Sequence, residues 1–85
     1  MNATNVNEVI KSFMAKEPDR DVKEVYSFSD GYFIIAPHKG VAIDYEDPFF
    51  IWGIKTGKYL PFLPTEDPAA LGKLMNPKNR VYSKE

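Results

Sequence analysis

Residues 45–54 read YEDPFFIWGI, and within them Phe49, Phe50, Ile51 and Trp52 follow one another without a polar residue. A β-strand directs successive side chains to opposite faces of its sheet, so an extended backbone here places apolar groups on both faces. In a single-layer antiparallel sheet one face normally meets water and carries polar residues. This stretch therefore predicts a sheet that needs cover on both faces.

The region between residues 22 and 63 has the pattern of antiparallel hairpins, because turn signals recur every 8–10 residues along it. The predicted strands are VKEVYSF (22–28), YFIIA (32–36), VAIDY (41–45), FFIWGI (49–54) and YLPFL (59–63). The strand at 32–36 also has apolar residues at alternate positions on both faces. Pro61 has no amide hydrogen, which makes the last segment an edge strand or an extended arm.

A helix is predicted on each side of this region. Residues 5–16 carry an apolar stripe at helical spacing and follow a capping residue, Thr4 or Asn5. Residues 65–75 form the second, shorter helix, with Thr65 or Asp67 as its cap and a proline in its first turn.

The order of these elements predicts an α+β fold, with an antiparallel β-meander of four to five strands flanked by an N-terminal and a short C-terminal helix. The 85 residues form a single small domain, residues 1–85, because they are too few for a second core. We expect residues 1–3 and 77–85 to be flexible, unless Val81 and Tyr82 dock. Placing both helices on one face is the simplest way to bury both apolar stripes.

Three arrangements would cover the second face of the sheet: helices on opposite faces, a sheet curled into a small barrel, or a binding partner. Aromatic residues make up 14% of the chain, and such residues are enriched in the desolvated centre of interfaces. We therefore expect a non-enzymatic protein-interaction module that binds another protein or a second copy of itself. The predicted contact residues are Phe33, Ile35, Phe50, Trp52 and Phe62.

Composition excludes several classes of protein. The chain has no cysteine, which excludes a disulfide scaffold and a thiolate metal site. The formal net charge is −1, which gives no general attraction to nucleic acid or to anionic lipid. The apolar runs are too short to span a bilayer and no signal peptide is recognisable, so we expect a soluble, cytoplasmic protein similar in composition to small bacterial or phage accessory proteins.

A small-molecule site or an enzyme near His38, the only histidine, is an alternative. Its possible partners are the acids of DYED, namely Asp44, Glu46 and Asp47, whose spacing matches no calcium loop. In the predicted meander the turns that hold His38 and these acids lie at opposite ends of one strand, roughly 15–17 Å apart. We therefore predict no catalytic residue, no metal site and no cofactor.

Two further patterns point weakly to phosphate. The segment GIKTGKY lacks the glycine spacing and the Lys-Ser/Thr pair of a phosphate-binding loop and lies in a predicted hairpin, so we reject that interpretation. The C-terminal cations Lys73, Lys78, Arg80 and Lys84, with Tyr82 among them, could touch nucleic acid, but we expect a solvated segment.

Overall fold

The computed structural model describes residues 5–42 and 47–84. The elements within these residues are α1 (Val6–Lys16), β1 (Glu24–Phe28), β2 (Gly31–Ile35), β3 (Phe49–Gly53), β4 (Tyr59–Phe62), α2 (Pro68–Leu74), a short 3-10 helix (Pro77–Asn79) and β5 (Arg80–Ser83).

The five strands form one antiparallel sheet in the order β4-β3-β2-β1-β5. The first four strands pair with their neighbours along the chain, while β5 returns to the free edge of β1. The predicted α+β class is confirmed, as are the antiparallel sheet, the N-terminal helix and the short C-terminal helix.

Two strand predictions need correction. β2 pairs directly with β3, so the predicted strand at 41–45 does not lie between them. Val41 and Ala42 lie outside any strand, and residues 43–46 are outside the described part of the chain. The fifth strand is instead residues 80–83, which pair with β1. Tyr82 stands opposite Val25, whereas Val81 lies at an irregularity of the register and is exposed.

The two helices lie on opposite faces of the sheet, contrary to the simplest prediction. The reason is that β2 and β3 are apolar on both faces, so each face needs its own cover. The cluster on the α1 face consists of Val9, Ile10, Phe13, Val22, Val25, Ile34, Ala36 and Trp52. The cluster on the α2 face consists of Tyr26, Phe33, Ile35 and Phe49, with half-buried Leu71, Leu74 and Met75 from the α2 region packed on it.

Both helices begin at a capping side chain of the predicted type. The Asn5 Oδ1 atom accepts a hydrogen bond from the Asn7 amide at 2.8 Å, and the Asp67 Oδ1 atom accepts one from the Ala70 amide at 3.1 Å. In the described residues, neither helix has the length and apolar composition needed to cross a membrane.

The C-terminal strand is tied to the start of β1 by both backbone and side chains. The Lys84 amide donates to the Lys23 carbonyl at 2.8 Å, and the Lys84 Nζ atom lies 2.8 and 3.0 Å from the two carboxylate oxygens of Asp21. Lys23 also pairs with Asp21, at 3.2 Å. Hydrogen bonds from Lys84 and Lys23 hold the pKa of the Asp21 carboxyl below its ordinary value.

Gly31, the first residue of β2, packs so closely on β3 that a Cβ atom there would overlap the carbonyl oxygen of Trp52. We expect Gly31→Ala to lower the free energy of unfolding by about 2–4 kcal/mol, because the two strands would have to separate. Gly72→Ala is the control, since Gly72 lies within α2 and a Cβ there has no atom within 4 Å. We expect it to stabilise the helix, because alanine is favoured over glycine in helices by about 0.5–1 kcal/mol. Urea unfolding of both variants measures the difference, and equal effects would contradict the close approach of β2 to β3.

The Asp21–Lys84 pair makes stability depend on pH in a defined direction. A carboxyl whose pKa is lower in the folded state stabilises the fold above its ordinary pKa of 3.8, and this contribution disappears as the pH falls through the folded value. We therefore expect Asp21→Asn to be less stable than the parent at pH 7 and the gap to close below pH 4. Asp19→Asn is the control, because Asp19 forms no ion pair with a described residue. A gap that persists unchanged in acid would show that the ion pair is not its cause.

Candidate functional site

The five predicted contact residues do not share one face of the sheet. Phe33, Ile35 and Phe62 lie on the α2 face, where the rings of Phe33 and Phe62 meet edge to face with centroids 5.5 Å apart. Phe50 and Trp52 lie on the α1 face. The pairing register explains this division, because Phe33 stands opposite Ile51 and so shares a face with it, while Phe50 alternates to the other side.

Three of these residues are enclosed by their own chain. Phe33 and Ile35 have no exposed surface and Trp52 keeps only 5% of its surface exposed, whereas Phe50 and Phe62 are half-buried. Partner binding at these positions stays a prediction, and Phe50 and Phe62 are the members that a partner could reach without unfolding the sheet.

On the α2 face, the end of the sheet formed by β3 and β4 carries an outer apolar strip, which we define as Ile51, Leu60 and Phe62. Leu60 pairs with Ile51, and Phe62 pairs with Phe49, so all three strip residues point to the same side. Leu60 keeps 55% of its surface exposed. The described helix on this face, α2, packs chiefly on β1, which is separated from β4 by β2 and β3, although Leu71, Leu74 and Met75 belong to the cluster that also holds Phe33 and Phe49.

The free edge of β4 is poorly suited to accept another strand. The Gly53 amide donates to the Lys58 carbonyl at 3.2 Å, and hydrogen-bonded pairs alternate along an antiparallel ladder. The nitrogen of Pro61 therefore faces away from β3, at an edge position that offers no hydrogen-bond donor. A protein that docks here would use side chains on the face rather than backbone at the edge.

The α1 face contains a cleft of about 400 Å³ between the last turn of α1 and the β3–β4 hairpin. Aromatic rings and charged side chains from both elements line it: Phe13, Lys16, Glu17, Phe50, Lys58 and Tyr59.

The half-buried rings of Phe50 and Tyr59 form the wall of this cleft, with the fully buried Phe13 ring behind them. The Phe13 ring lies 5.0 Å from the Phe50 ring and 5.3 Å from the Tyr59 ring, measured between centroids. The Tyr59 hydroxyl donates to the Val9 carbonyl at 2.9 Å, which fixes the ring against α1. Burial raises the pKa of this hydroxyl above its ordinary value, so Tyr59 remains a neutral donor at physiological pH.

Cations lie over two of these rings. The Lys16 Nζ atom is 5.4 Å from the Tyr59 ring centroid, and the Arg20 guanidinium carbon is 5.0 Å from the Phe50 ring centroid. Arg20 is itself buried, and it donates to the Ala36 carbonyl at 2.8 Å. Its Nε atom lies 3.7 Å from Glu17, so the acid of the cleft already has a cation as its partner.

The lysines of the cleft carry excess positive charge. Neither Lys16 nor Lys58 forms an ion pair with a residue in the described ranges. The cleft is therefore a positively charged, aromatic-walled site on a chain whose formal net charge is −1.

His38 is exposed and lies beside Arg20 rather than beside an acid. The Arg20 Nη2 atom is 3.4 Å from the His38 Nε2 atom, and the two residues form an isolated β-bridge. Within residues 5–42 and 47–84 no carboxylate pairs with this imidazole. Asp44 and Glu46 lie outside the described residues, so the suggested histidine–acid site is not described.

Among the described residues, no three His, Asp or Glu side chains come together in a group that could hold a metal ion. The basic C-terminal segment is partly neutralised, since Arg80 lies 3.9 Å from Glu24 and Lys84 pairs with Asp21.

Sequence reasoning did not find the cleft. Its residues come from positions 13–17 and 50–59, and no local motif joins the end of a helix to a distant hairpin. Two of its residues were singled out on other grounds: Phe50 as a predicted contact residue, and Lys58 within the segment GIKTGKY, which resembles a phosphate-binding loop superficially.

Comparison with models of protein families, with curated proteins and with solved structures gives no match. The chemistry of the surface is therefore the basis for assigning a function.

Proposed function

We propose that this chain is a small, non-enzymatic protein-interaction module that docks through the outer apolar strip of Ile51, Leu60 and Phe62, with a second copy of the chain as its partner. The observation that carries the proposal is the partial cover of the α2 face. The helix on that face packs chiefly on β1, and at the opposite end of the sheet Leu60 keeps 55% of its surface exposed beside half-buried Ile51 and Phe62.

The energetics of the strip favour association. Burying apolar surface contributes roughly 25 cal/mol per Å², and the aromatic ring of Phe62 can supply the rigid area typical of interface centres. An isologous contact around a twofold axis would place the strip of one copy against the same strip of the other. Edge-to-edge strand pairing is disfavoured at Pro61, which leaves the sheet face as the contact surface.

A cytoplasmic location and an accessory role in a bacterium or phage belong to this proposal as predictions. A different protein as partner is the alternative, with the same strip as its contact surface.

Sedimentation velocity across a hundredfold range of concentration tests self-association. We expect the parent chain to form dimers and Leu60→Glu to weaken them by about tenfold or more, because a carboxylate would be desolvated in the contact. Val41→Glu is the matched control, since Val41 keeps 54% of its surface exposed, as Leu60 keeps 55%, and lies outside the strip.

A parent chain that sediments as a monomer at every concentration would overturn the proposal in its self-associating form. Equal weakening by both substitutions would show that the strip is not the contact surface.

A further inference from the structure

We infer that the cleft between α1 and the β3–β4 hairpin binds a small planar aromatic anion, that is, an aromatic ring carrying a phosphate or a carboxylate. This site lies on the α1 face, opposite the outer apolar strip, and does not depend on the proposed interaction function.

Size is the first argument. The volume of about 400 Å³ falls in the lower part of the range of roughly 300–1,000 Å³ that small-molecule sites occupy. Two contacts hold the rings in place: Phe13 is fully buried, and the Tyr59 hydroxyl donates a hydrogen bond to the backbone of α1.

The wall selects a flat apolar group. The half-buried rings of Phe50 and Tyr59 both pack against Phe13, so they present ring surface in defined orientations. Because Lys16 lies over the Tyr59 ring and Arg20 over the Phe50 ring, a ligand ring would meet the edges and the remaining surface of these rings, in the edge-to-face or offset geometry that aromatic pairs prefer.

The positive charge of the cleft selects a negatively charged ligand. Lys16 and Lys58 line the cleft without an acidic partner in the described residues, while Glu17 already faces Arg20. A cation would be repelled by the two ammonium groups, and a neutral apolar ligand would gain no electrostatic attraction from them. A bare inorganic anion would leave the aromatic wall uncovered. A ring that carries an anionic group satisfies both parts of the cleft.

The two lysines enter from different elements. Lys16 ends α1, and Lys58 belongs to the β3–β4 hairpin, whose Thr56 Oγ1 atom accepts a hydrogen bond from the Lys58 amide at 3.3 Å. Both side chains are on exposed residues and can turn towards an anion without disturbing the core.

The test is a titration followed by backbone amide shifts in two-dimensional NMR spectra. Adenosine 5′-monophosphate and indole-3-acetate supply a ring with a phosphate or a carboxylate, while adenosine and inorganic phosphate supply each half alone. We expect at least one complete probe to shift the amides of Lys16, Phe50 and Tyr59 with a Kd of about 10 µM to 1 mM, and to bind more tightly than either half.

The matched variants are Lys58→Gln and Lys55→Gln, since Lys55 is an exposed lysine of the same hairpin that does not line the cleft. Lys58→Gln should weaken binding of the complete probe by about 3–10-fold and Lys55→Gln by less than about twofold, while Lys58→Arg restores binding. A tenfold rise in ionic strength should weaken binding of the complete probe and leave adenosine unaffected.

The proposal is overturned if neither complete probe shifts the cleft amides, if adenosine or phosphate alone binds as tightly as the complete probe, or if the Lys58 and Lys55 variants behave alike. Leu60→Glu should leave probe binding unchanged, so failure of the interaction proposal and failure of the ligand proposal are separable.

Discussion

The structure depends on one constraint: β2 and β3, the central strands, carry large apolar side chains on both faces. Phe33 and Ile35 point to one side of the sheet, and Ile34 and Trp52 point to the other. Leaving either side in water would expose far more apolar surface than a domain of this size can offset. The helices consequently divide between the two faces, and each face acquires its own small cluster.

The two helices cover their faces of the sheet to different extents. α1 contributes Val9, Ile10 and Phe13 as buried residues, whereas α2 contributes none that is fully buried. The longer helix therefore builds a complete core and leaves a cleft at its end, and the shorter helix leaves part of its face open. Both candidate sites arise from this difference, a charged aromatic cleft on one side and an apolar strip on the other.

Much of the fold could be predicted from local patterns. Asn5, Asp67 and Pro68 mark the helix starts, Gly57 takes the left-handed backbone that its hairpin needs, and Pro61 lies on an edge strand as its missing amide requires. What could not be predicted depends on long-range pairing. β5 pairs with β1, from the first third of the chain, and the ion pair beside this ladder joins Lys84 to Asp21, 63 positions earlier. Neither residue can be told from an ordinary surface charge in the sequence.

The candidate sites show the same contrast between what local sequence predicts and what depends on long-range packing. The apolar character of Phe33, Phe50 and Trp52 was evident, but their burial was not, because alternation does not say which face a helix will cover. The cleft joins Lys16 to Lys58 only after α1 has packed across the sheet.

The return of β5 to β1 also has a consequence for biosynthesis. β1 occupies an inner position in the finished sheet, yet its neighbour on one side is the last of the strands that the structure describes. During translation β1 and β2 can pair as soon as they emerge, but the other backbone edge of β1 stays open until residues 80–83 leave the ribosome. A nascent chain therefore passes through a stage in which one edge of the β1–β2 hairpin is unpaired. Such edges promote the aggregation of incomplete chains.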